Sequence, residues 1–382
     1  MRPVDLRNLV PKLVGPEEIP DLVSSLRTLE VLAEYKYDEY QQFAPGHRFM
    51  ESLVLWLSRI PPAQRVAALK LVRERLIFFS RADIFHFTKM AFPFKIRPML
   101  LEWEARRHNI PMHRWVHFSR SASFELAVRR TLFLGLSDGA HLDDFRRQGG
   151  LHNDQVHASY HLPEARAAEM VNKLGEHIEK RRGTIEGEPY GVSLTPTFNR
   201  IVLVDDFTAS GTSYIRKKDG GGWSGKIHTF LETLDAVEVP LVDWRELKSA
   251  LLFYVATDRA KDHIGENLAQ LNQERAQKGL ATFEPEFQVV QPLSDDIALT
   301  PENAGDLRAL IDGYDVEGTY DTSMSKGGPP DHQRWGFARC GLPVVLYHNS
   351  PNNSVAPLWM YRDRKYKMPG LFPRIRRHWD VT

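Results

Sequence analysis

Ile201-Val202-Leu203-Val204-Asp205-Asp206-Phe207-Thr208-Ala209-Ser210-Gly211-Thr212-Ser213 is the stretch on which the reading of this chain turns. Its first four residues are apolar and mostly β-branched, which predicts a short strand buried on both faces. Two acids stand at the carboxyl end of that strand, and small, hydroxyl-bearing and glycine residues follow. In an open α/β sheet, ligands bind outside the carboxyl ends of the strands. A loop of this composition lets backbone N–H groups close around a phosphate, with Thr and Ser hydroxyls as further donors. Adjacent carboxylates suit the two hydroxyls of a ribose, or a divalent cation held directly or through water. Two plainer readings compete. One is a strand-to-helix turn in which Thr208 or Ser210 caps the next helix. The other is a receiver-type acid pair, although that usually lies near the start of its domain and lacks such a loop.

The stretch resembles the phosphoribosyl-pyrophosphate (PRPP) signature of type I phosphoribosyltransferases. That signature has four apolar residues, two acids, then a short Thr/Gly-rich phosphate loop. The resemblance implies that Asp205 and Asp206 face the ribose hydroxyls and take part in Mg²⁺ binding, with PRPP as co-substrate. It also implies that Thr208, Ala209, Ser210, Gly211, Thr212 and Ser213 wrap the 5′-phosphate. Ala209 departs from the pattern, standing where many members carry Thr, and removes one hydroxyl donor. A degenerate site that binds PRPP without turning it over is a further reading of these residues.

The chain has 382 residues, 42% of them apolar and 10% aromatic, enough for two to three domains with a sizeable core. A formal net charge of +1 argues against a globally basic nucleic-acid binder. Cys340 is the one cysteine, so neither an intramolecular disulfide nor a Cys-rich zinc site is expected, in keeping with a reducing cytoplasm. The first residues alternate charges and prolines, which predicts no signal peptide, and no apolar run is long enough to span a membrane.

Residues 1–105 predict a helical region, with Leu22, Leu26 and Leu29, then Phe49, Leu53 and Trp56–Leu57, then Val66, Leu69 and Val72 at helical spacing. A transferase-like core is expected over 106–300 and an extension over 301–382. Trp115-Val116-His117-Phe118 reads as the first core strand, followed by a small-residue turn and a helix through Phe124, Leu126 and Leu132. The resembled family holds pyrophosphate on the loop after its first core strand, which nominates Ser119, Arg120 and Ser121. An ordinary turn with a Ser cap reads equally well.

Residues 137–163 are polar and glycine-punctuated, which suits an active-site lid carrying Arg146 or Arg147 toward the leaving pyrophosphate. His152, His157 and His161 lack a carboxylate or thiol to complete a metal site. Gly220-Gly221-Gly222-Trp223-Ser224-Gly225-Lys226 mimics a Walker A loop. It ends in Ile227 where Ser or Thr should bind Mg²⁺, so it reads as a flexible loop before a helix at 226–234. Strands at 250–256 and 286–291 alternate with helices at 261–278 and 301–311, the last with Thr300 as N-cap. This alternation predicts a mostly parallel sheet. The expected fold is therefore α/β, a Rossmann-like parallel sheet of phosphoribosyltransferase type with an added N-terminal helical region.

A late strand at 342–348 precedes Asn352 and Asn353, whose amides suit a base edge, with Trp359 as a stacking face; a simple turn is the alternative. The tail is similar to phosphoribosyltransferase-like proteins of bacterial conflict and antiviral loci, some of them beside retron reverse transcriptases, as is the Ser-Asp-Gly-Ala element at 137–140. That likeness implies a toxic effector held in check by a protein partner or a reverse transcriptase/RNA complex. Residues 361–377 hold seven Lys/Arg against one Asp, a stretch fit for nucleic acid or for solvent. Besides an enzyme acting at ribose C1, the sequence admits a nucleotide sensor that regulates a partner, and a nucleic-acid-associated accessory protein.

Overall fold

The computed structural model describes residues 3–15, 22–42, 48–181, 195–316, 324–328, 333–361 and 368–374. Nine strands occur among the described residues: β1 (Ile77–Phe79), β2 (Thr131–Gly135), β3 (Val156–His157), β4 (Arg200–Thr208), β5 (Arg216–Lys217), β6 (Trp223–Ser224), β7 (Lys248–Thr257), β8 (Glu286–Leu293) and β9 (Val344–Leu346). The chain forms two compact units, Phe85–Leu293 and a second made of Met1–Ile84 with Ser294–Thr382.

The first unit is built on a five-stranded sheet in the order β3-β2-β4-β7-β8, every neighbouring pair parallel. β4 lies at its centre, with Leu203 opposite Leu134 on one side and Leu251 on the other. Ile201, Val202, Leu203 and Val204 are each fully buried, as an apolar run on a strand covered on both faces requires. At roughly 2 kcal/mol per such side chain, this burial anchors the strand that carries the two acids at its end. Helices at Glu164–Arg181, Lys226–Ala236 and Asp258–Gln277 bury Met170, Phe230 and Ile264 in the same core. The expected α/β sheet with helical connections is what the chain forms.

The first core strand, however, is not at 115–118. Trp115–Phe118 is a short helix, and the strand is Thr131–Gly135, which sequence periodicity had absorbed into the preceding helix. An apolar run of four residues fits either state, and tertiary pairing decides. Here the helix Ala122–Arg129 stops at Arg130, and Thr131–Gly135 enters the sheet fully buried beside β4. The 137–163 stretch is likewise not a long loop: it contains the helix Leu142–Gly149 and the edge strand β3.

In the second unit, helices at Leu22–Tyr35, Phe49–Arg59 and Arg65–Lys70 pack with β1 and β9, a parallel pair joining residues far apart in sequence. The helix expected at 301–311 is confined to Leu307–Asp312. Ahead of it Asn303 Oδ1 accepts the Thr300 amide at 2.8 Å, and Gly305 sits at φ +52°, so the chain turns before it winds. Trp359 is fully buried against Met324 and Phe337 and offers no face for stacking. Asn353 Nδ2 donates to the Phe337 carbonyl at 3.3 Å, which favours the turn reading of that segment. Most of the basic 361–377 stretch lies outside the described residues. No described helix is long and apolar enough to cross a membrane.

Candidate functional site

Parallel strands place all their carboxyl ends on one rim, and there the loop after β2 meets the end of β4. Asp205 is completely buried and Asp206 nearly so. The Ser137 hydroxyl donates to Asp205 Oδ1, which also accepts the Asp206 amide at 3.0 Å. Asp205 Oδ2 accepts the Tyr214 hydroxyl and the Lys226 ammonium, each at 2.7 Å. Every lone-pair direction of this carboxylate is thus met, as a buried charge demands. Burial pushes the Asp205 carboxyl up, Lys226 pulls it down and Asp206 pushes it up again, with a net upward shift. The Tyr214 phenol is raised well above its ordinary value by burial and by both carboxylates, so it stays protonated and donates.

Asp206 is the acid nearer the surface, and Asp206 Oδ1 accepts the Phe207 amide at 2.9 Å. Gly139 faces it so closely that a Cβ there would fall 2.3 Å from Asp206 Oδ2. The 137–140 loop is anchored from below: Tyr254, buried on β7, donates to the Ala140 carbonyl at 2.6 Å. The loop that sequence reasoning had placed at Ser119 to Ser121 thus has its structural counterpart at Ser137, Asp138, Gly139 and Ala140. Ser119, Arg120 and Ser121 lie instead between two helices, ahead of β2 rather than after it. The signal for this loop was present, since Ser-Asp-Gly-Ala directly follows the run Leu132-Phe133-Leu134-Gly135-Leu136.

The loop after β4 is held by its neighbour. Thr257, at the end of β7, donates to the Ala209 carbonyl at 2.6 Å, and its hydroxyl also accepts the Ala260 amide to cap the following helix. Gly211 adopts φ +72°, a conformation glycine reaches without strain, and a Cβ there would lie 2.9 Å from the Ala260 carbonyl. Thr208, Ser210 and Thr212 are buried and Ser213 is exposed.

No helix begins at Thr212. The chain turns at 211–214, makes the antiparallel hairpin β5–β6, and enters its helix at Lys226. Arg216, on β5, donates to the Thr212 carbonyl at 3.2 Å and to Ser224 Oγ at 2.9 Å, bringing a cation to the loop after β4. Lys226, the terminal residue of the Walker-like run, reaches Asp205. Both cations escaped sequence reasoning, because only the hairpin folds them back onto the acids. Arg146 and Arg147 pair with Asp143 on their own helix, at 3.0 and 2.8 Å. Among the described residues no three His, Cys, Asp or Glu side chains gather as a metal site, so Mg²⁺ here would depend on the acid pair together with phosphate oxygens of a ligand.

Neither a curated protein nor a solved structure matches the chain significantly. A protein-family model does, and it spans residues 55–374, taking in the acid pair, both rim loops and Lys226. The chain belongs to this family, PRTase-CE, and is phosphoribosyltransferase-like.

Proposed function

We propose that the carboxyl rim binds PRPP, or a nucleotide containing ribose 5-phosphate, and that the protein acts at ribose C1. The observation that carries this reading is the meeting of two rim loops at one acid pair, Ser137 on Asp205 and Gly139 against Asp206. In PRPP transfer the C1–oxygen bond to pyrophosphate breaks, and pyrophosphate leaves with the bonding electrons. A bond from C1 to the acceptor forms, and the acceptor gives up a proton. The transition state is oxocarbenium-like, so positioning and charge neutralisation matter more than covalent participation of side chains.

In this reading Asp206 takes the ribose hydroxyls, and Asp205 sets its position while Lys226 balances the pair. Residues 209–213 wrap the 5′-phosphate with Arg216 behind them, and the 137–140 loop faces the pyrophosphate. The acid pair, through Asp206 nearer the surface, would hold Mg²⁺, which would supply charge stabilisation to the departing pyrophosphate. One observation favours a second reading, a sensor that binds without turnover. The Asp205 carboxylate is already saturated by Ser137, Tyr214 and Lys226, an arrangement that supports a fixed platform as well as a catalyst.

Calorimetric titration of PRPP, with and without Mg²⁺, into wild type, Asp206→Asn and the double variant Asp205→Asn with Asp206→Asn tests the proposal. The same samples are then assayed for pyrophosphate release with a pool of bases and nucleotides. Binding that the substitutions abolish, with turnover, supports a transferase; the same binding without turnover supports the sensor. Unchanged affinity in folded variants rejects the site.

A further inference from the structure

At the opposite, amino-terminal rim of the same sheet, Arg129 is 97% buried in side-chain terms, with only 3% of its surface exposed. One of its terminal nitrogens pairs with Asp154, while its Nε and Nη1 have no hydrogen-bond partner. A guanidinium buried with two donors unmet is costly, and native structures retain such a group where something else satisfies it. Arg129 lines a cavity of about 370 Å³ within the sheet-bearing unit, a volume in the range of small-molecule sites. Ser119, Arg120 and Ser121 line the same cavity, as do Arg97, His152 and His177.

The local chemistry is that of an anion site. Ser121 caps the eight-residue helix Ala122–Arg129 by accepting the Phe124 amide at 3.2 Å, which leaves its hydroxyl proton to donate. Burial lowers the His177 imidazole, and Arg129, His152 and Arg181 lower it further against a smaller upward pull from Glu125. The field at this wall is therefore positive. The acid lining the cavity, Glu125, is itself paired with Arg181. Phe92 and Phe124 add apolar wall, with Arg97 over the Phe124 ring at 5.0 Å.

We infer that this amino-rim cavity is a second ligand site, taking the phosphate of a small phosphomonoester between Arg129, Arg120 and Ser121 with its organic body along the aromatic wall. It is separate from the carboxyl-rim site and independent of the function proposed there. Arg129 precedes β2 and the 137–140 loop follows it, so the length of that five-residue strand, roughly 16 Å, divides the two. Occupancy of one site can then influence the other through β2, which ends in both.

The test is an NMR titration of ribose 5-phosphate, and separately of inorganic phosphate, into the full chain. It follows the His177 imidazole signals, assigned by their loss in His177→Gln. Saturable shifts are expected in wild type and also in Asp205→Asn with Asp206→Asn, where the carboxyl-rim site is removed. Arg120→Glu, a change at an exposed position, should weaken the response about tenfold or more. Arg129→Gln should do the same, and if that variant does not fold, Arg120→Glu still decides. Absence of any His177 shift, an unaltered response in Arg120→Glu, or loss of the response in the double Asp variant would each overturn the inference.

Discussion

Lys226 Nζ lies 2.7 Å from Asp205 Oδ2, joining the last residue of a glycine-rich run to a carboxylate with no solvent exposure. The ammonium also sits 4.8 Å from the centre of the Tyr214 ring. A single cation thus supports both the acid and the phenol that donates to it.

Lys226→Met should therefore leave Asp205 charged, buried and short of its counter-ion. The expected loss is about 3 kcal/mol at neutral pH, read from urea denaturation. Because burial already raises the Asp205 carboxyl and removing Lys226 raises it further, folding of the variant takes up protons. Its deficit should be small in acid and should grow as pH rises through the raised folded value. Adding Asp205→Asn should recover much of the loss. A deficit independent of both pH and the second substitution would contradict the pairing.

Gly139→Ala inserts a methyl group where Asp206 stands, 2.3 Å from Oδ2. Asp206 must move, so ligand affinity at the carboxyl rim should fall about tenfold or more while the loss in folding stability stays within about 1–3 kcal/mol. Calorimetry beside thermal melting separates the two effects. Wild-type affinity would mean that the carboxylate's position is immaterial.

Tyr254→Phe removes the hydroxyl that holds the Ala140 carbonyl. The buried acceptor loses its partner, at a cost of about 1–3 kcal/mol. Hydrogen exchange should quicken at the amides of residues 137–140 before it does in β2. Uniform acceleration would show that Tyr254 supports the core and not the loop in particular.

Ser80 and Asp83 cap the helix Arg81–Ala91 reciprocally. Asp83 accepts the Ser80 amide at 2.9 Å, and Ser80 Oγ accepts the Asp83 amide at 3.1 Å. Burial acts to raise the Asp83 carboxyl, but Lys36 and Ser80 together outweigh it and hold it below the ordinary value. A depressed carboxyl stabilises above its unfolded pKa of about 4 and loses that contribution as pH falls through the folded value. Asp83→Asn should cost about 1 kcal/mol at pH 7. The gap to wild type should close in strong acid, and a constant gap down to low pH would refute the linkage.

The centre of the fold was legible because four apolar residues followed by two acids describe a buried parallel strand with its carboxyl end marked. The strands read at 250–256 and 286–291, and the helix read at 261–278, announced themselves by period and length and stand within a few residues of those bounds. β2 did not: Thr131–Gly135 follows a helix after a single residue, so the helical period runs into it without punctuation. That one misplacement carried the second rim loop to Ser119–Ser121 and hid Ser137 and Gly139. Lys226 and Arg216 were invisible for a different reason. Their role depends on a hairpin whose tertiary direction leaves no local pattern.

That hairpin leaves the site and comes back to it. The Lys226 amide donates to the Ser213 carbonyl at 3.1 Å, and the Ile227 amide to the Tyr214 carbonyl at 2.9 Å. The excursion is stitched shut at its base, while its tip at 218–222 is exposed, with Gly221 and Gly222 at positive φ. Chain added at that tip need not disturb the stitches. The tip is therefore a port, a place to graft a fluorophore or a tag that sits a short hairpin away from the loop after β4.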